Sequence, residues 1–324
     1  MKQTKEGFKG NHGFPFMYRN NIKMSSYYYD VLEPRVDQHG SHMVMKNVSK
    51  PLKEKIVNID TKYRTNYDLT NAAPIVVFGE RLTEVRSIEV VSVDIPITFF
   101  NFRADNDCAT DGNNYLRIKN GGTSKMLVVT PNNYATNATL ETEINLQLAA
   151  LSLSTDISYS VVNNKSFFKS KTNSYSLATN VDINGNVNET NNRNNFGWTL
   201  GYRDTSYNLT PSGLNSEALL TLKTPRHLFL VLNEFSQGNA NSFVSPLENG
   251  NQNKNIIAKI CLPSTTFDQT LCANRANGQL VSEVRKYLEK VNIQRVSLQL
   301  VDDAGRPVQL NGADFSVCLR LVHD

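Results

Sequence analysis

Histidines and carboxylates are the side chains through which this chain could do acid–base or metal chemistry. The five histidines are His12, His39, His42, His227 and His323. His39 and His42 are close enough in the chain to contact one metal ion, but no cysteine or carboxylate cluster completes a coordination shell. His227 follows Pro225 and Arg226 at the predicted start of a strand, which favours a structural role. We therefore expect no metal site and no cofactor.

The adjacent carboxylates Asp302 and Asp303 are the remaining candidates for an acid/base pair. They stand in the stretch Asp-Asp-Ala-Gly-Arg-Pro, and Asp is favoured in such turns because its side chain accepts hydrogen bonds from the backbone. None of the short motifs typical of serine hydrolases, zinc peptidases, P-loop NTPases or dinucleotide-binding enzymes occurs. We predict that the protein is not an enzyme and has no small-molecule substrate. A hydrolase built on a β scaffold is kept as an alternative.

The four cysteines show no CxxC spacing that would indicate a metal or redox site. They are Cys108, Cys261, Cys272 and Cys318. Cys261 ends an apolar run and Cys318 falls within a predicted strand. We expect the cysteines to be small buried hydrophobic residues rather than disulfide partners or metal ligands.

The composition is that of an ordinary globular protein. The chain has 324 residues, of which 40% are hydrophobic and 20% charged. No apolar run reaches the roughly 18 residues needed to span a bilayer. The N-terminal residues also lack the apolar segment of a secretory signal, so we expect synthesis in the cytoplasm. Asparagines concentrate in residues 101–120, 131–145, 180–195 and 239–255, which predicts long polar surface loops.

Residues 1–55 are predicted to form an extended basic and aromatic arm. Residues 1–56 hold ten Lys and Arg against five Asp and Glu, a net charge of +5, whereas the rest of the chain has a net charge of −1. The candidate interface residues are the aromatics of this arm, Phe14, Phe16, Tyr18, Tyr27, Tyr28 and Tyr29. Such side chains bury a large area at low entropic cost, which suits docking into grooves on a neighbour. A flexible tail explains the same composition, so both interpretations stay open.

The charge of the arm also bears on nucleic acid as a partner. The rest of the chain has no basic stripe interleaved with aromatics, so we expect no specific nucleic acid. The net charge of +5 suits electrostatic attachment of the arm to an acidic inner surface.

The C-terminal residues 291–322 carry the clearest strand signal. Val296, Leu298 and Leu300 alternate with more polar residues, and the same period of two returns in Phe315, Val317, Leu319 and Leu321 after the Asp-Asp turn. Two such segments joined by a turn predict a β-hairpin with one buried face. Such a hairpin is marginal alone, so we expect other strands to cover it.

Other segments predict strands of the same domain. Residues 74–78 and 85–96 form two strands, and the apolar phase of the second shifts at Val90 and Val91, which fits a bulge or a bend between two sheets. The continuous apolar run 228–232 predicts a central strand buried on both sides. A hairpin is predicted about Asn163 and Asn164. Trp198, between two glycines, is expected to be a core or turn plug.

One segment has a helical period. Leu140, Ile144, Leu148 and Leu151 form a narrow apolar stripe, with Thr139 as a candidate N-cap. A single amphipathic helix among so many strands is expected to plug one end of a sandwich. The fold class that follows is an all-β jelly-roll β-sandwich with one amphipathic helix, long Asn-rich loops and an extended N-terminal arm. We predict two parts, the arm at 1–55 and a single jelly-roll domain at 56–324.

Three stretches, in this order along the chain, resemble a known family. They are IVNIDTKYR at 56–64, LTEVRSIEVVSVDIP at 82–96, and the tail VDDAGR at 301–306 with LNGADFS at 310–316. The segments TPNNY at 130–134 and HLFLVLNEF at 227–235 are similar too. The family is that of the single-jelly-roll penton and minor capsid proteins of nucleocytoplasmic large DNA viruses, the giant viruses. The resemblance covers residues 56–324 and does not include the arm.

The resemblance implies a structural capsid protein without catalytic residues. Its expected partners are copies of itself, forming a homopentamer at the vertex if it is a penton, together with the major capsid protein and other minor capsid proteins. The alternative within the family is a minor capsid protein that cements capsomers beneath the shell, in contact with the inner membrane side of the capsid. Either role implies location in the virion. A third hypothesis, from another class, is a carbohydrate- or receptor-binding β-sandwich with the Asn-rich loops as its rim.

Overall fold

The structure is a computed structural model of the chain. It describes residues 31–39, 41–65, 73–104, 112–189, 193–223, 225–235, 245–247, 250–252, 255–263 and 267–324. The chain divides into two compact units, Met1–Leu52 and Lys53–Asp324. Within the described ranges, no helix combines the length and the apolar character that crossing a bilayer requires.

The first unit contains a hairpin that was not predicted. Strand β1 (Val31–His39) pairs antiparallel with β2 (His42–Lys50), from Val31 opposite Lys50 to His39 opposite His42. Charged residues and Pro34 interrupt the apolar alternation here, which explains why the sequence indicated no strand. The six candidate aromatics of the arm, Phe14 to Tyr29, lie outside the described residues.

The second unit is built mainly from antiparallel strands. Its elements are β3 (Lys53–Asp60), a 3₁₀ turn (Thr61–Tyr63), β4 (Ile75–Pro96), β5 (Tyr115–Asn120), β6 (Thr123–Val128), α1 (Asn137–Ala150), β7 (Ile157–Val162), β8 (Lys165–Ser170), β9 (Tyr175–Ala178), α2 (Phe196–Leu200), β10 (Ser206–Asn208), β11 (Leu214–Asn215), β12 (His227–Asn233), β13 (Ser245–Leu247), β14 (Gly250–Gln252), β15 (Ile256–Cys261), β16 (Thr270–Asn274), β17 (Leu280–Ser282), β18 (Arg285–Val301) and β19 (Ser316–His323).

Eight of these strands form one curled sheet with two facing walls. The first wall has the order β3-β19-β4-β16, and the second has the order β4-β18-β12-β15 with β17 at its edge. Strand β4 is 22 residues long and belongs to both walls, pairing through its first part with β18 and through its last part with β19 and β16. Side chains from both walls share one hydrophobic core. The predicted all-β jelly-roll fold is confirmed by this arrangement.

The predicted phase shift in β4 is a β-bulge. Cys318 of β19 lies opposite Ser92, but the next residue, Leu319, lies opposite Val90, so Val91 has no partner on β19. The extra residue keeps Val90 and Val93 on the same, fully buried side of the wall. The sequence had predicted two strands between residues 74 and 96, whereas the structure forms a single strand.

The predicted C-terminal hairpin is wrong. Both of its strands exist and both are buried inward, but β4 lies between β18 and β19, so the two do not pair with each other. A period of two indicates which face of a strand is buried and does not indicate its partner. The connection 302–315 is long enough to carry the chain across β4 from one wall to the other.

Residues 97–226, between β4 and β12, form a lobe with a second hydrophobic core. It contains two small sheets, β10-β9-β5-β6 and β11-β8-β7, and helix α1. The hairpin of β7 and β8 turns at Asn163 and Asn164, both with positive φ, as the sequence predicted. The described strands of the lobe form sheets of their own, apart from the curled sheet. The second unit therefore has two large hydrophobic cores.

Helix α1 is confirmed, with two differences from the prediction. Leu140, Ile144 and Leu148 are fully buried, but their side chains belong to the core of the lobe rather than plugging the end of the sandwich. The N-cap is Thr136, whose hydroxyl accepts from the backbone N–H of Thr139 in a capping box. The N-cap therefore lies three residues before the predicted one.

The segment about Trp198 forms the short helix α2 instead of a plain turn, so the chain has more than the one predicted helix. A Cβ on Gly197 would overlap the side chain of Thr179, which confirms that the backbone packs closely there. Trp198 itself is only half-buried, and the guanidinium of Arg203 lies 4.0 Å from its ring centre. Trp198 is thus not a core residue.

Candidate functional site

The histidines do not form a site among the residues that the structure describes. His39 and His42 are opposite each other at the end of the β1–β2 hairpin, but no group of three metal-ligating side chains occurs in the described ranges. The ring of His227 lies edge-on to Phe229, with centroids 5.0 Å apart. Burial, followed by the nearby charge of Lys259, lowers the pKa of His227 and favours its neutral form.

Asp302 is a turn residue, as predicted. Its Oδ1 accepts hydrogen bonds from the backbone N–H groups of Ala304 at 3.0 Å and Arg306 at 2.8 Å. Its Oδ2 accepts from Arg306 Nε at 2.8 Å and from Arg103 Nη2 at 3.2 Å. The buried carboxylate is thus engaged by the turn and by two arginines. Because Arg103 belongs to the inserted lobe, the same carboxylate also joins the lobe to the sandwich.

The cysteines only partly match their prediction. Cys261 and Cys318 are half-buried, Cys108 lies outside the described residues, and Cys272 is exposed. A hydrogen bond to the carboxylate of Asp94 raises the pKa of the Cys272 thiol. Cys272 lies on β16, whose side chains alternate between the core and the outside, and its position in this alternation places it on the outside.

A contact between two distant segments closes one end of the first wall. Arg64 Nη1 donates to Asp314 Oδ1 at 2.7 Å, and the hydroxyl of Thr61 donates to the same oxygen at 3.0 Å. The backbone N–H of Thr61 donates to the carbonyl of Phe315, and the N–H of Phe315 donates to the Thr61 hydroxyl, each at 3.0 Å. The Arg64 side chain is 6% exposed. This group, the Thr61–Arg64–Asp314 lock, joins the turn after β3 to the residues before β19.

A second buried polar group lies in the other wall. Arg285 donates to Glu234 and to the carbonyls of Leu232 and Asn255, at 2.8 to 2.9 Å. The hydroxyl of Tyr287 donates to the other carboxylate oxygen of Glu234 at 3.0 Å. Burial, together with the charge of Glu234, raises the pKa of Tyr287. These contacts connect the end of β12, the start of β15 and the start of β18.

Charged side chains cross the outer face of the first wall in alternating sign. Arg320 of β19 lies between Glu54 of β3 and Glu89 of β4, with nitrogen–oxygen distances of 3.7 Å to each. Glu89 also pairs at 2.6 Å with Arg275, which follows β16. Because Glu54, Arg320 and Arg275 are well exposed, each pair contributes little to stability. The row gives this face a mixed charge without a strong net sign.

Comparisons with known proteins find similarity in structure. No protein-family model matches the chain, and no curated protein matches it. The crystal structure of selenomethionine-labelled mavirus penton protein is similar with a TM-score of 0.43 and 12% sequence identity, covering 84% of this chain and 99% of that chain. The jelly roll is established by the strand order described above.

Several large apolar side chains remain exposed among the described residues. Leu288 is 95% exposed and lies where β18 bulges between Lys286 and Val291, opposite β4. Ile56 is 56% exposed on β3 at the edge of the first wall. Others are scattered over the unit and include Val77, Leu146, Val187, Leu219 and Val281. Single exposed residues of this kind are common, so only their setting gives them meaning.

The sequence did not indicate the buried ion pairs Arg285–Glu234 and Arg64–Asp314. Arg285 and Tyr287 alternate inward at the start of β18, and an arginine at an inward position is a usable signal of a buried acid nearby. Glu234 follows directly after the last residue of β12, Asn233, close to the apolar run, which is a second signal of the same kind. Nothing local to Arg64 indicates its partner, because Asp314 is 250 residues away.

Proposed function

We propose that this protein is a structural component of the capsid of a large icosahedral DNA virus, and that it is the penton, a homopentamer at the vertex. The observation that carries the proposal is the Thr61–Arg64–Asp314 lock. Two of the three stretches that resemble the penton and minor capsid family, 56–64 and 310–316, contact each other there. The remaining stretch, 82–96, contains the part of β4 that pairs with β19 beside them.

This arrangement supports the resemblance for a physical reason. Matches that arise by chance are scattered over a fold, whereas these stretches are adjacent strands and turns of one wall, β3-β19-β4. The stretch 56–64 supplies most of the edge strand β3, and 82–96 supplies the bulged part of β4. The stretch 310–316 leads the chain into β19.

A jelly-roll body suits assembly because its two walls are broad surfaces that other subunits can pack against. A five-fold ring needs two different surfaces on each copy, since the contact is head-to-tail. The lobe at 97–226, carried on the loop between β4 and β12, makes the two sides of the body different from each other. We propose that residues 1–55, with their net positive charge, reach to a neighbouring capsid subunit.

The test is the copy number and symmetry of the chain. Purified full-length protein is measured by light scattering and by electron microscopy, and purified virions are examined for the chain. The proposal predicts five-fold rings and density at the vertices. A monomer that is absent from virions would overturn it. Density beneath the capsomers away from the vertices would instead assign the chain to the minor capsid proteins.

The carbohydrate- or receptor-binding hypothesis is separated by a different measurement. Binding of the purified chain to a glycan array is expected to show no strong signal, because a subunit that packs against other subunits needs no sugar site. A strong and saturable signal, abolished by shortening an Asn-rich loop such as 180–189, would favour that hypothesis over the penton proposal.

A further inference from the structure

Within the part of the chain that the structure describes, strand β3 lies at the end of its sheet with one free edge. It is the last strand of the first wall, and among the strands that the structure describes it pairs with β19 alone. The N–H of Thr61 donates to the Phe315 carbonyl, so the backbone groups of Thr61 point toward the β19 side. In an antiparallel pair the backbone N–H and C=O groups of every second residue bond to the neighbouring strand, so those of Ile59 and Val57 also point toward β19. The backbone groups of Glu54, Ile56 and Asn58 therefore point away from the sheet.

The middle of this edge, residues 56–59, lacks the usual protection against pairing. Exposed edges are normally blunted by proline, by bulges or by lysines, because a flat free edge pairs with other strands. The register of β3 with β19 runs without a shift from Lys53 to Asp60, so no bulge bends the edge. Charges occupy its first three residues and its last, Asp60, whereas residues 56–59 between them are Ile, Val, Asn and Ile. Ile56 is 56% exposed on the outer face.

The charges of β3 favour one way of pairing it with itself. Two copies related by a two-fold axis perpendicular to the wall pair antiparallel, with equivalent faces on the same side. If Ile56 lies opposite Ile56, then Glu54 lies opposite Asn58 and Lys55 opposite Val57. Moving the two-fold axis by one residue along the strand gives two other registers. With Val57 opposite Val57, Glu54 lies opposite Asp60; moving the axis the other way places Lys55 opposite Lys55. Like charges directly opposite each other destabilise a strand pair.

In the first register each Lys55 keeps its partner from its own chain and faces no second lysine. Its ammonium pairs with Glu80 of β4 in the same chain, so it does not need an acid from the second copy. In that register the outward backbone groups of Glu54, Ile56 and Asn58 all find partners, giving about six hydrogen bonds across the seam. The two Ile56 side chains cover each other on the outer face.

We propose that β3 pairs antiparallel with β3 of a second copy, with Ile56 opposite Ile56, so that the first wall continues across two molecules. This contact goes beyond the proposed function. A two-fold contact cannot close a five-fold ring, so it lies on a different surface from the ring interface. It links two copies whether or not each belongs to a ring.

Cysteine cross-linking tests the register directly. In Ile56→Cys the two Cα atoms are expected about 5.5 Å apart, within the range of a disulfide. In Asn58→Cys they are about 14 Å apart, because the two residues are offset by four positions along the strands. Oxidation of the full-length protein is therefore expected to give a covalent dimer for Ile56→Cys and none for Asn58→Cys beyond the wild-type background.

A mixed reaction sharpens the test. Glu54→Cys and Asn58→Cys are expected to give no covalent dimer beyond the wild-type background when oxidised separately. They are expected to form a cross-linked heterodimer when mixed, because these positions are opposite in the proposed register. Equal cross-linking of Ile56→Cys and Asn58→Cys, or no cross-linking in any variant, would overturn the proposal. Neither result would change the expectation of five-fold rings, which is tested separately by mass.

A second measurement does not depend on introduced cysteines. Hydrogen exchange at the amides of Glu54, Ile56 and Asn58 is expected to slow as protein concentration rises. Ile56→Lys is expected to weaken the association about tenfold or more, since it removes the apolar pair and sets two lysines opposite each other. Leu288→Lys, the same kind of change at a more exposed position away from the edge, is the control. Protection of these amides at every dilution would show that the chain covers its own edge, and would contradict the proposal.

Discussion

Arg285 and Glu234 form an ion pair inside the protein, with Arg285 Nη1 2.8 Å from Glu234 Oε2 and side chains that are 2% and 1% exposed. Arg285 also binds the backbone carbonyls that precede and follow the 235–254 connection, those of Leu232 and Asn255. The pair thus fixes both ends of that connection against the start of β18. Such a pair is expensive to desolvate and is held only because each group has several partners.

Breaking this pair is expected to destabilise the fold strongly. Glu234→Gln leaves the Arg285 charge buried without a counter-charge, and the free energy of unfolding is expected to fall by about 3–5 kcal/mol. Equilibrium unfolding in urea measures the change. Asp37→Asn, which removes an exposed partner of Arg35, is the control and is expected to cost less than about 1 kcal/mol.

The double variant of the same pair distinguishes the contribution of its charge balance from that of its backbone hydrogen bonds. Replacing Glu234 by Leu together with Arg285 by Met removes both buried charges, and stability is expected to return close to that of the wild type. If the double variant is as unstable as Glu234→Gln, the contribution of the pair lies in its backbone hydrogen bonds rather than in its charge balance.

The Thr61–Arg64–Asp314 lock gives a second prediction. Asp314→Ala removes the acceptor of both Arg64 and Thr61, and the unfolding free energy is expected to fall by about 1–3 kcal/mol because the donors lose their partner in a mostly buried site. Glu283→Ala, at an exposed position between β17 and β18, serves as the control and should change little. Equal effects of the two substitutions would show that the lock does not stabilise the wall.

Two glycines allow backbone strain to be separated from crowding. Gly201 and Gly278 both have positive φ, +97° and +72°, but a Cβ on Gly201 would overlap the carbonyl of Ala218 whereas Gly278 has open space. Gly278→Ala is expected to cost about 1–2 kcal/mol from conformation alone. Gly201→Ala should cost clearly more, seen as a larger fall in the thermal midpoint. Similar midpoints would mean that the contact with Ala218 relaxes freely.

His227 predicts how stability changes with pH. Burial lowers its pKa in the folded state, so the unfolded chain binds a proton more readily as pH falls below about 6.5. Its contribution to stability is therefore fully present above that pH and is lost on acidification through the folded pKa. His227→Gln is expected to flatten the fall in unfolding free energy between pH 7.5 and pH 5. An unchanged slope in the variant would assign the acid sensitivity to other groups.

Local patterns in the sequence determined the individual elements. The period of two defined β19 and the last part of β18, and the phase shift at Val90 and Val91 indicated the bulge, because burial of one face imposes the alternation directly on neighbouring residues. The continuous apolar run 228–232 defined β12, which is buried on both faces. The stripe from Leu140 to Leu148 defined α1 for the same reason with a helical period. The Asn163–Asn164 turn followed from the tolerance of Asn for positive φ.

The tertiary structure alone decided which elements are neighbours. A strand's alternation gives its buried face but not its partner, so the insertion of β4 between β18 and β19 was not visible in either segment. The separate core of the lobe at 97–226 and the buried pairs of Arg285 and Arg64 depend on contacts between residues that are far apart in the chain. Such contacts form only when the walls close around a shared core, because only then is a charged side chain removed from water and made to find its partner.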